Sequence, residues 1–251
     1  MSSLRSLRLC GETVSLCAPL AAGKDWREHL RLIARLGVGA VEITGKWSEL
    51  APLDTRLRAT GVRAALVRLQ DGDDLPAAVE SGAHVARRLG APYLALSAGY
   101  LPAEEPSQLA KRCARLRARA EATGQILLVE NHPQSSVSTG AALGGLAAAA
   151  KVGACFDPAG FVALRRHPFL TEFLPGSLKQ RIACLRLRDA LFEDGSEALP
   201  DRGNAELREL VSALEVRGYQ GLYALSPFGA GLYEEALAAA CGSVRGMLDE
   251  L

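Results

Sequence analysis

The stretch Gln125–Pro133, QILLVENHP, decides the fold of this chain. Its four apolar residues lead directly into Glu130, Asn131 and His132. A continuous apolar run of this kind is typical of a strand that is buried on both faces, as in parallel sheets. Because ligands bind at the carboxyl ends of parallel strands, the three polar side chains predict a site at that edge.

A module recurs along the chain, in which a helical pattern ends at a glycine and a short apolar run follows. Glycine just beyond a helix end can adopt the left-handed cap conformation, and a short apolar run after it predicts a buried strand. The spacing of about 25 to 35 residues matches one βα unit per module. The six glycines are Gly37, Gly61, Gly90, Gly124, Gly153 and Gly218.

These modules, together with an opening strand and a strand before Asp189, predict eight strands. Eight alternating βα units favour a single closed (β/α)8 barrel of the α/β class over 1–251, since such barrels have about 250 residues. A doubly wound open sheet is the alternative, but GETVSLCAPLAAG does not supply the G-x-G-x-x-G expected after its first strand. The strands are predicted at 13–17, 39–44, 62–69, 93–98, 126–131, 153–157, 182–188 and 221–226.

Helices are predicted between the strands. Asp25 and Glu28 resemble a capping box, and Asn204 is predicted to cap the helix that ends before Gly218. The low-complexity run 140–150, GAALGGLAAAA, is either a flexible linker or a small-residue helix packed on the barrel, and its position between two strands favours the helix. Helical patterns are also predicted up to residue 36, over 104–122 and over 232–251.

Composition excludes several classes of function. The formal net charge of +1 gives no electrostatic reason to expect nucleic acid or a membrane surface as a partner. No apolar run reaches the roughly 18 residues of a membrane span, and no signal peptide is predicted, so we expect a cytoplasmic protein. The six cysteines form no C-x-x-C pair and are predicted to be small buried residues.

Polar residues collect where the predicted strands end, at the rim where such barrels carry their function. Any one of them could instead cap a loop, but together they favour a ligand pocket. His167, before Pro168, is a further candidate for the pocket border. The rim residues are Glu42, Trp47, Arg68, Gln70, Ser97, Gly99, Tyr100, Glu130, Asn131, His132, Asp157, Arg186, Arg188, Asp189 and Ser226.

The order LLVENH, FDPAGF, LRLRDA and a closing strand that enters a Pro-Phe turn resembles the xylose-isomerase-like barrel superfamily. The resemblance covers nearly the whole chain. This superfamily includes sugar-phosphate isomerases and epimerases, hydroxypyruvate isomerase and endonuclease-IV-type barrels. It implies a divalent metal held by Glu on strand 5, Asp on strand 6, His on strand 7 and Glu on strand 8. It also implies that the two glutamates move a proton at the carbon next to a carbonyl.

This sequence departs from the family pattern at two of the four ligand positions. Glu130 and Asp157 match it, but Arg186 stands in place of the His and Ser226 in place of the second Glu. The His that often follows the strand-6 Asp is Gly160 here. A guanidinium stays protonated and cannot ligate a metal.

We therefore predict that Arg186 takes the electrostatic place of the metal by bridging Glu130 and Asp157. A slip of one residue in the strand register would instead point Arg186 away from the pocket. No cofactor or metal is expected. If the salt-bridge interpretation is wrong, Mn, Mg or Zn would be held by Glu130 and Asp157.

The resulting expectation is an isomerase or epimerase of a sugar, sugar acid or related hydroxy-carbonyl compound that works without a metal. The alternative is a catalytically inactive barrel that binds a small acidic ligand. An endonuclease-IV-like enzyme needs many His ligands, and the chain has four histidines. The ligand is expected to be a carbohydrate-like small molecule that can carry negative charge, and a homo-oligomer is an open expectation. The predicted catalytic residues are Glu130, Asp157 and Arg186, and the predicted substrate-binding residues are Glu42, Arg68, Asn131, His132, Arg188 and Ser226.

Overall fold

Eight parallel strands form a closed barrel in the computed structural model, which describes residues 8–9, 12–13, 15–20, 26–44, 53–69, 74–225 and 233–250. Each strand pairs with the next one along the chain, and the last pairs with the first. The predicted (β/α)8 barrel is therefore confirmed, because an open sheet would leave two unpaired edges. We label the strands β1 to β8: Ser15–Leu20, Ala40–Ile43, Arg63–Arg68, Tyr93–Ser97, Ile126–Glu130, Gly153–Phe156, Ile182–Leu187 and Leu222–Leu225.

In the described ranges one α-helix follows each barrel strand. We label the helices α1 to α8: Trp26–Arg35, Leu53–Thr60, Leu75–Leu89, Pro106–Glu121, Gly140–Ala150, Pro158–Val162, Leu207–Glu215 and Tyr233–Asp249. The run 140–150 is thus a helix and not a linker. Gly144 lies against Leu178, where an added Cβ would be 3.3 Å from the backbone, so small residues let α5 pack closely. No helix in the described ranges is long and apolar enough to cross a membrane.

Five of the six module glycines adopt the left-handed conformation that the sequence predicts. They are Gly37, Gly61, Gly90, Gly124 and Gly218, with φ between 68° and 89°. The sixth prediction is wrong, because Gly153 is the first residue of β6. Lys151, with φ of 56°, supplies the left-handed cap of α5 in its place.

Two other local predictions are corrected by the structure. The opening strand is Ser15–Leu20, further along the chain than the predicted 13–17. Asn204 does not cap α7, because its Oδ1 accepts a hydrogen bond from Phe192 N at 2.8 Å. The N-cap position belongs to Glu206, which has a left-handed backbone with φ of 52°. Asp25, of the predicted capping box, lies outside the described residues.

Two apolar layers position the site. A large layer of branched side chains packs between the strands and the surrounding helices. A second, smaller layer fills the inside of the barrel and consists mainly of small residues. Side chains alternate along a strand, so the residue two positions further on points into the same interior, nearer the carboxyl end. The inner layer contains Ala40, Ala65, Leu66, Ala95, Leu128, Cys155, Cys184, Leu222 and Ala224.

Candidate functional site

Four charged side chains meet inside the barrel at the carboxyl ends of β2, β3, β5 and β7. They are Glu42, Arg68, Glu130 and Arg186, which we call the inner cluster. Each lies two residues beyond a member of the inner apolar layer, namely Ala40, Leu66, Leu128 and Cys184. Strand alternation therefore carries them into the interior, and the small side chains beneath leave room for the long arginine stems.

Arg186 is the most deeply buried member, with 2% of its surface exposed. Its Nε donates to Glu130 Oε2 at 2.8 Å and its Nη2 donates to Glu42 Oε1 at 3.1 Å. Its Nη1 donates to Glu42 Oε2. Arg186 thus faces the pocket, and the alternative of a strand slipped by one residue is excluded. Arg186 bridges Glu130 and Glu42. The prediction that it bonds Glu130 is therefore confirmed, and the prediction that its second partner is Asp157 is wrong.

Arg68 joins the same two carboxylates from the other side. Its Nε donates to Glu42 Oε1 at 2.8 Å, and its Nη2 donates to Glu130 Oε2. Burial by itself would lower the pKa of Arg68, but the charges of Glu130 and Glu42 raise it well above its usual value. Two cations and two anions therefore alternate in a ring of zero net charge. Arg68 keeps 24% of its side chain exposed, so it is the cation of the inner cluster that a ligand can reach.

Glu130 is held through one oxygen only. Its Oε2 accepts from Arg68 and Arg186, and also from Cys155 Sγ at 3.2 Å. Within the described part of the chain, Oε1 accepts no hydrogen bond. Burial raises the pKa of Glu130, with Arg68 opposing that shift and the charge of Asp157 adding to it. The open oxygen of a fixed carboxylate with a raised pKa is suited to accepting a proton from a ligand.

Glu42, in contrast, has no open oxygen. Its Oε1 accepts from Arg68 and Arg186, and its Oε2 accepts from Arg186. Burial raises the pKa of Glu42, and the charge and hydrogen bond of Arg68 oppose that shift. Glu42 was predicted to bind substrate, and in the structure its contacts hold the two arginines in place.

A second group of charges lies further out and consists of Asp157, Arg188 and Glu197, which we call the outer cluster. Arg188 Nη1 donates to Asp157 Oδ2 at 3.0 Å, and its Nη2 donates to Glu197 Oε1 at 2.7 Å. Burial would lower the pKa of Arg188, but Asp157 and Glu197 raise it. Asp157 Oδ1 is buried and has no hydrogen-bond partner among the described residues. Asp157 therefore offers one unused acceptor at the barrel mouth.

Asn131 fixes the position of Asp157. Its Oδ1 accepts from Asp157 N at 2.8 Å, and its Nδ2 donates to Asp157 O at 2.9 Å. The Asn131 amide thus makes the same pair of hydrogen bonds that a neighbouring strand would make, and it connects the end of β5 to the end of β6. Both polar atoms of the amide already bond the backbone, which leaves Asn131 as a support for the site. Gly160 lies directly over it, since a Cβ there would be 3.0 Å from Asn131 Nδ2.

The other predicted rim residues are spread around the mouth. The His132 ring packs on Gly99, where an added Cβ would be 3.1 Å from the ring, and its Nδ1 accepts from Gln134 N at 3.3 Å. Ser97 Oγ accepts from Gly99 N at 3.2 Å. His167 is exposed, with Nδ1 3.2 Å from Glu206 Oε1. Three further candidates lie outside the described residues: Ser226, Trp47 and Gln70.

Asp189 organises the loop before α7. Its carboxylate accepts from the backbone N–H groups of Ala190 and Ala205 at 2.8 Å and of Gly203 at 2.9 Å. A side chain at Gly203 would collide with this carboxylate and with the backbone of Ala190. Asp189 is 1% exposed, so its carboxylate stabilises this loop and does not face the pocket.

The residues at the family's metal position do not fit a divalent cation. A guanidinium occupies the position of the strand-7 ligand and would repel the ion. Glu130 Oε2 already accepts three hydrogen bonds, and Asp157 Oδ2 is paired with Arg188. No grouping of three His, Cys, Asp or Glu side chains in the described ranges could hold a metal ion. Position 226 lies outside those ranges.

Comparison with known proteins places the chain in a family. The family model described as "Xylose isomerase-like TIM barrel" matches residues 30–243. This chain belongs to the xylose isomerase-like TIM barrel family. The resemblance found in the sequence is therefore confirmed. No curated protein matches the chain.

Solved structures share the fold at low sequence identity. The structure of the IolI protein with a zinc atom is 17% identical to this chain and has a TM-score of 0.78. The alignment covers 94% of this chain and 99% of the IolI chain. A sugar phosphate isomerase/epimerase from Parabacteroides distasonis is 13% identical, with 95% and 98% covered and a TM-score of 0.69. D-psicose 3-epimerase with D-tagatose, from Clostridium cellulolyticum, is 12% identical, with 94% and 98% covered and a TM-score of 0.66.

Sequence reasoning missed three features of the site. It named Glu42 but not its role in binding both arginines. It treated Cys155 only as a small buried residue, although period-two alternation from Asp157 places position 155 on the interior face. It did not consider Glu197, which reaches Arg188 from a short strand, Glu197–Ala198, paired with Asp189–Ala190.

Proposed function

We propose that this chain is a metal-independent isomerase or epimerase of a sugar, a sugar acid or a related hydroxy-carbonyl compound. The observation that carries the proposal is the state of Glu130. Its Oε2 is fixed by two arginines and a thiol, and its Oε1 is open within the described structure. It lies at the carboxyl face of the barrel, where enzymes of this fold bind their substrates.

Glu130 Oε1 would take the proton from the carbon next to the substrate carbonyl. The electron pair left behind moves toward the carbonyl oxygen and gives an enediolate, which needs a nearby positive charge. Arg68, with 24% of its side chain exposed, supplies that charge where a relative would use its metal. The hydroxyl proton of the enediolate passes to the former carbonyl oxygen, which lies next to it in the substrate. The protonated Glu130 gives its proton to the former carbonyl carbon, the hydroxyl carbon becomes the new carbonyl, and the isomerisation is complete.

The arrangement favours isomerisation over epimerisation. Epimerisation returns the proton to the same carbon from the opposite face, and this requires a second acid on that face. Glu42 cannot serve, because both of its oxygens are bonded to guanidinium groups. Asp157 Oδ1, buried and unpartnered among the described residues, would accept a hydrogen bond from a substrate hydroxyl.

The energetic cost of the inner cluster supports a functional role. Replacing buried ion pairs by apolar residues of similar size is often neutral or stabilising, so stability alone gives no reason for four buried charges. Their position at the carboxyl face, above an otherwise apolar barrel interior, is where a catalytic barrel concentrates such groups. The structural neighbours described as a sugar phosphate isomerase/epimerase and as D-psicose 3-epimerase agree with this substrate class.

The second candidate is a catalytically inactive barrel that binds a small acidic ligand. It is favoured by the saturation of Glu42 and by Arg188, which keeps 36% of its side chain exposed at the mouth. A cytoplasmic location, no nucleic-acid or membrane partner, one domain over 1–251 and a homo-oligomeric state stay predictions from the sequence.

Proton exchange separates the two candidates. The protein is incubated in D2O with a panel of aldoses, ketoses and keto acids, and deuterium at carbon is followed by NMR. We expect exchange that persists in excess chelator and is lost in Glu130→Gln, which keeps the shape of the side chain. Glu121→Gln, in an exposed surface pair with Arg117 on α4, is the control and should exchange at the wild-type rate. Binding of a panel compound without exchange would establish the inactive barrel instead.

A further inference from the structure

Cys155 is the neighbour of Glu130 inside the barrel. The two residues are register partners on β6 and β5, and both side chains point inward. Cys155 is fully buried, and its Sγ lies 3.2 Å from Glu130 Oε2. A carboxylate that is paired with arginines can only accept hydrogen bonds, so the thiol is the donor.

The donors to Glu130 Oε2 arrive from three different strands. Arg68 reaches it from β3, Arg186 from β7 and Cys155 from β6. A carboxylate anchored by guanidinium groups alone can still rotate about its last bond, because either oxygen can accept from an arginine. A third donor, fixed to the adjacent strand with a short side chain, distinguishes the two oxygens. The Cys155 thiol thereby keeps Glu130 Oε2 on the side of the inner apolar layer.

We propose that Cys155 is a positioning residue that orients Glu130 and leaves Oε1 toward the ligand. The role of Oε1 rests on the proposed function, whereas the hydrogen bond itself does not. Neither the family pattern nor the comparisons assign any role to position 155. The thiol acts through Glu130 and does not touch the substrate.

Cys184 provides a matched control. It is the register partner of Cys155 on β7, is fully buried, and belongs to the same inner layer. Among the described residues, the hydrogen bonds to Glu130 come from Arg68, Arg186 and Cys155, so Cys184 does not share this contact. Cys155→Ala and Cys184→Ala therefore remove the same atoms from adjacent positions, and only the first removes a donor to Glu130.

The first experiment is infrared spectroscopy of the S–H stretching region in the full-length protein. A thiol that donates to a carboxylate has a stretching band at lower frequency than a thiol with a weaker acceptor. We expect Cys155→Ala to remove the lowest-frequency band, Cys184→Ala to retain it, and Glu130→Gln to move it to higher frequency. A lowest-frequency band that survives in Cys155→Ala would overturn the proposal.

The second experiment measures deuterium exchange into the panel compound that the wild type uses. Because a thiol is a weak donor, loss of its hydrogen bond to Glu130 predicts that Cys155→Ala slows exchange about fivefold. Cys155→Ser, whose hydroxyl can donate in the same direction, should restore the rate to within about twofold of wild type. Equal slowing by Cys155→Ala and Cys184→Ala would show a packing effect and would contradict positioning.

The two experiments can reject the proposed activity and the positioning role of Cys155 independently of each other. If the infrared result is as expected and the wild type exchanges nothing in the panel, Cys155 orients Glu130 but the proposed isomerase activity is rejected. If the wild type exchanges and Cys155→Ala behaves like Cys184→Ala, the activity stands and the positioning role is rejected.

Discussion

The inner and outer clusters use the same residue types but differ in burial and in charge balance. The inner cluster has two arginines and two glutamates, and three of its members expose 7% or less of their surface. The outer cluster has one arginine between two carboxylates, and Arg188 and Glu197 expose 36% and 34% of their side chains. Because water reaches the outer cluster, its charges need not balance.

This difference indicates what each cluster can do. Charges removed from water must be neutralised by their neighbours, so the inner cluster is closed except for Glu130 Oε1 and the exposed part of Arg68. The outer cluster keeps an unpartnered acceptor, Asp157 Oδ1, among the described residues. The two clusters together carry one net negative charge and leave a few hydrogen-bonding atoms unpartnered, which suits a polyhydroxylated ligand.

The largest expected effect comes from unbalancing the inner cluster. Arg186→Met leaves Glu42 and Glu130 with Arg68 as their shared cation, so we expect the free energy of unfolding to fall by about 3 to 5 kcal/mol. Arg188→Met, just beyond the end of β7, is the matched change in the outer cluster and should cost about 1 to 2 kcal/mol, since Arg188 is partly exposed and water already screens its ion pairs. Urea unfolding measures both. Equal losses would show that the clusters do not differ in the way described.

The next effect sharpens the comparison with metal-binding relatives. Arg186→His with Ser226→Glu restores the ligand types that the family resemblance implies beside Glu130 and Asp157. Zinc at about 100 times its dissociation constant should then raise the free energy of unfolding by about 2.7 kcal/mol. Thermal unfolding with and without zinc measures this, with Arg186→Gln/Ser226→Glu as the control that lacks the imidazole. A zinc-dependent rise of the same size in the wild type would disprove the replacement of the metal by arginine.

A smaller effect tests charge balance itself. The double change Glu42→Met/Arg186→Met removes one cation and one anion and leaves Glu130 paired with Arg68. We expect the double variant to be about 1 to 3 kcal/mol more stable than Arg186→Met alone, because neutrality is restored. The two single variants and the double variant form a cycle of urea unfolding measurements. Strictly additive losses would mean that Glu42 and Arg186 act independently.

The smallest effect belongs to the exposed edge of the outer cluster. Glu197→Gln removes one charge that faces Arg188 at the surface, where salt bridges contribute little. The change in the free energy of unfolding should stay within about 0.5 kcal/mol and should shrink further at high salt. A loss as large as that of Arg188→Met would show that Glu197 belongs to a buried network.

The order of elements and the composition of the site followed from local patterns. Glycines with positive φ end helices before short apolar runs, and this signal located five of the barrel strands closely. Period-two alternation then placed Glu130 and Arg186 on the interior. Lys151 and Glu206 were not anticipated, because non-glycine residues in the left-handed conformation carry no comparable sequence signal.

The pairing of charges could not be predicted in the same way. Which carboxylate a given arginine reaches depends on the tilt and stagger of the strands, which set the height of each side chain inside the barrel. These quantities belong to the closed sheet and not to any one segment. Arg186 consequently meets Glu42, 144 positions away in the chain, while Asp157 pairs with Arg188.

Replacement of the metal by arginine is tested by the metal content of the purified protein, measured by mass spectrometry after dialysis against Mn, Mg and Zn. We expect the wild type to retain far less than one equivalent of any of these metals, because Arg186 and Arg68 already neutralise Glu42 and Glu130. Retention of one equivalent that is lost in both Glu130→Gln and Asp157→Asn would contradict this replacement, and would return these two carboxylates to the metal-binding role of the family.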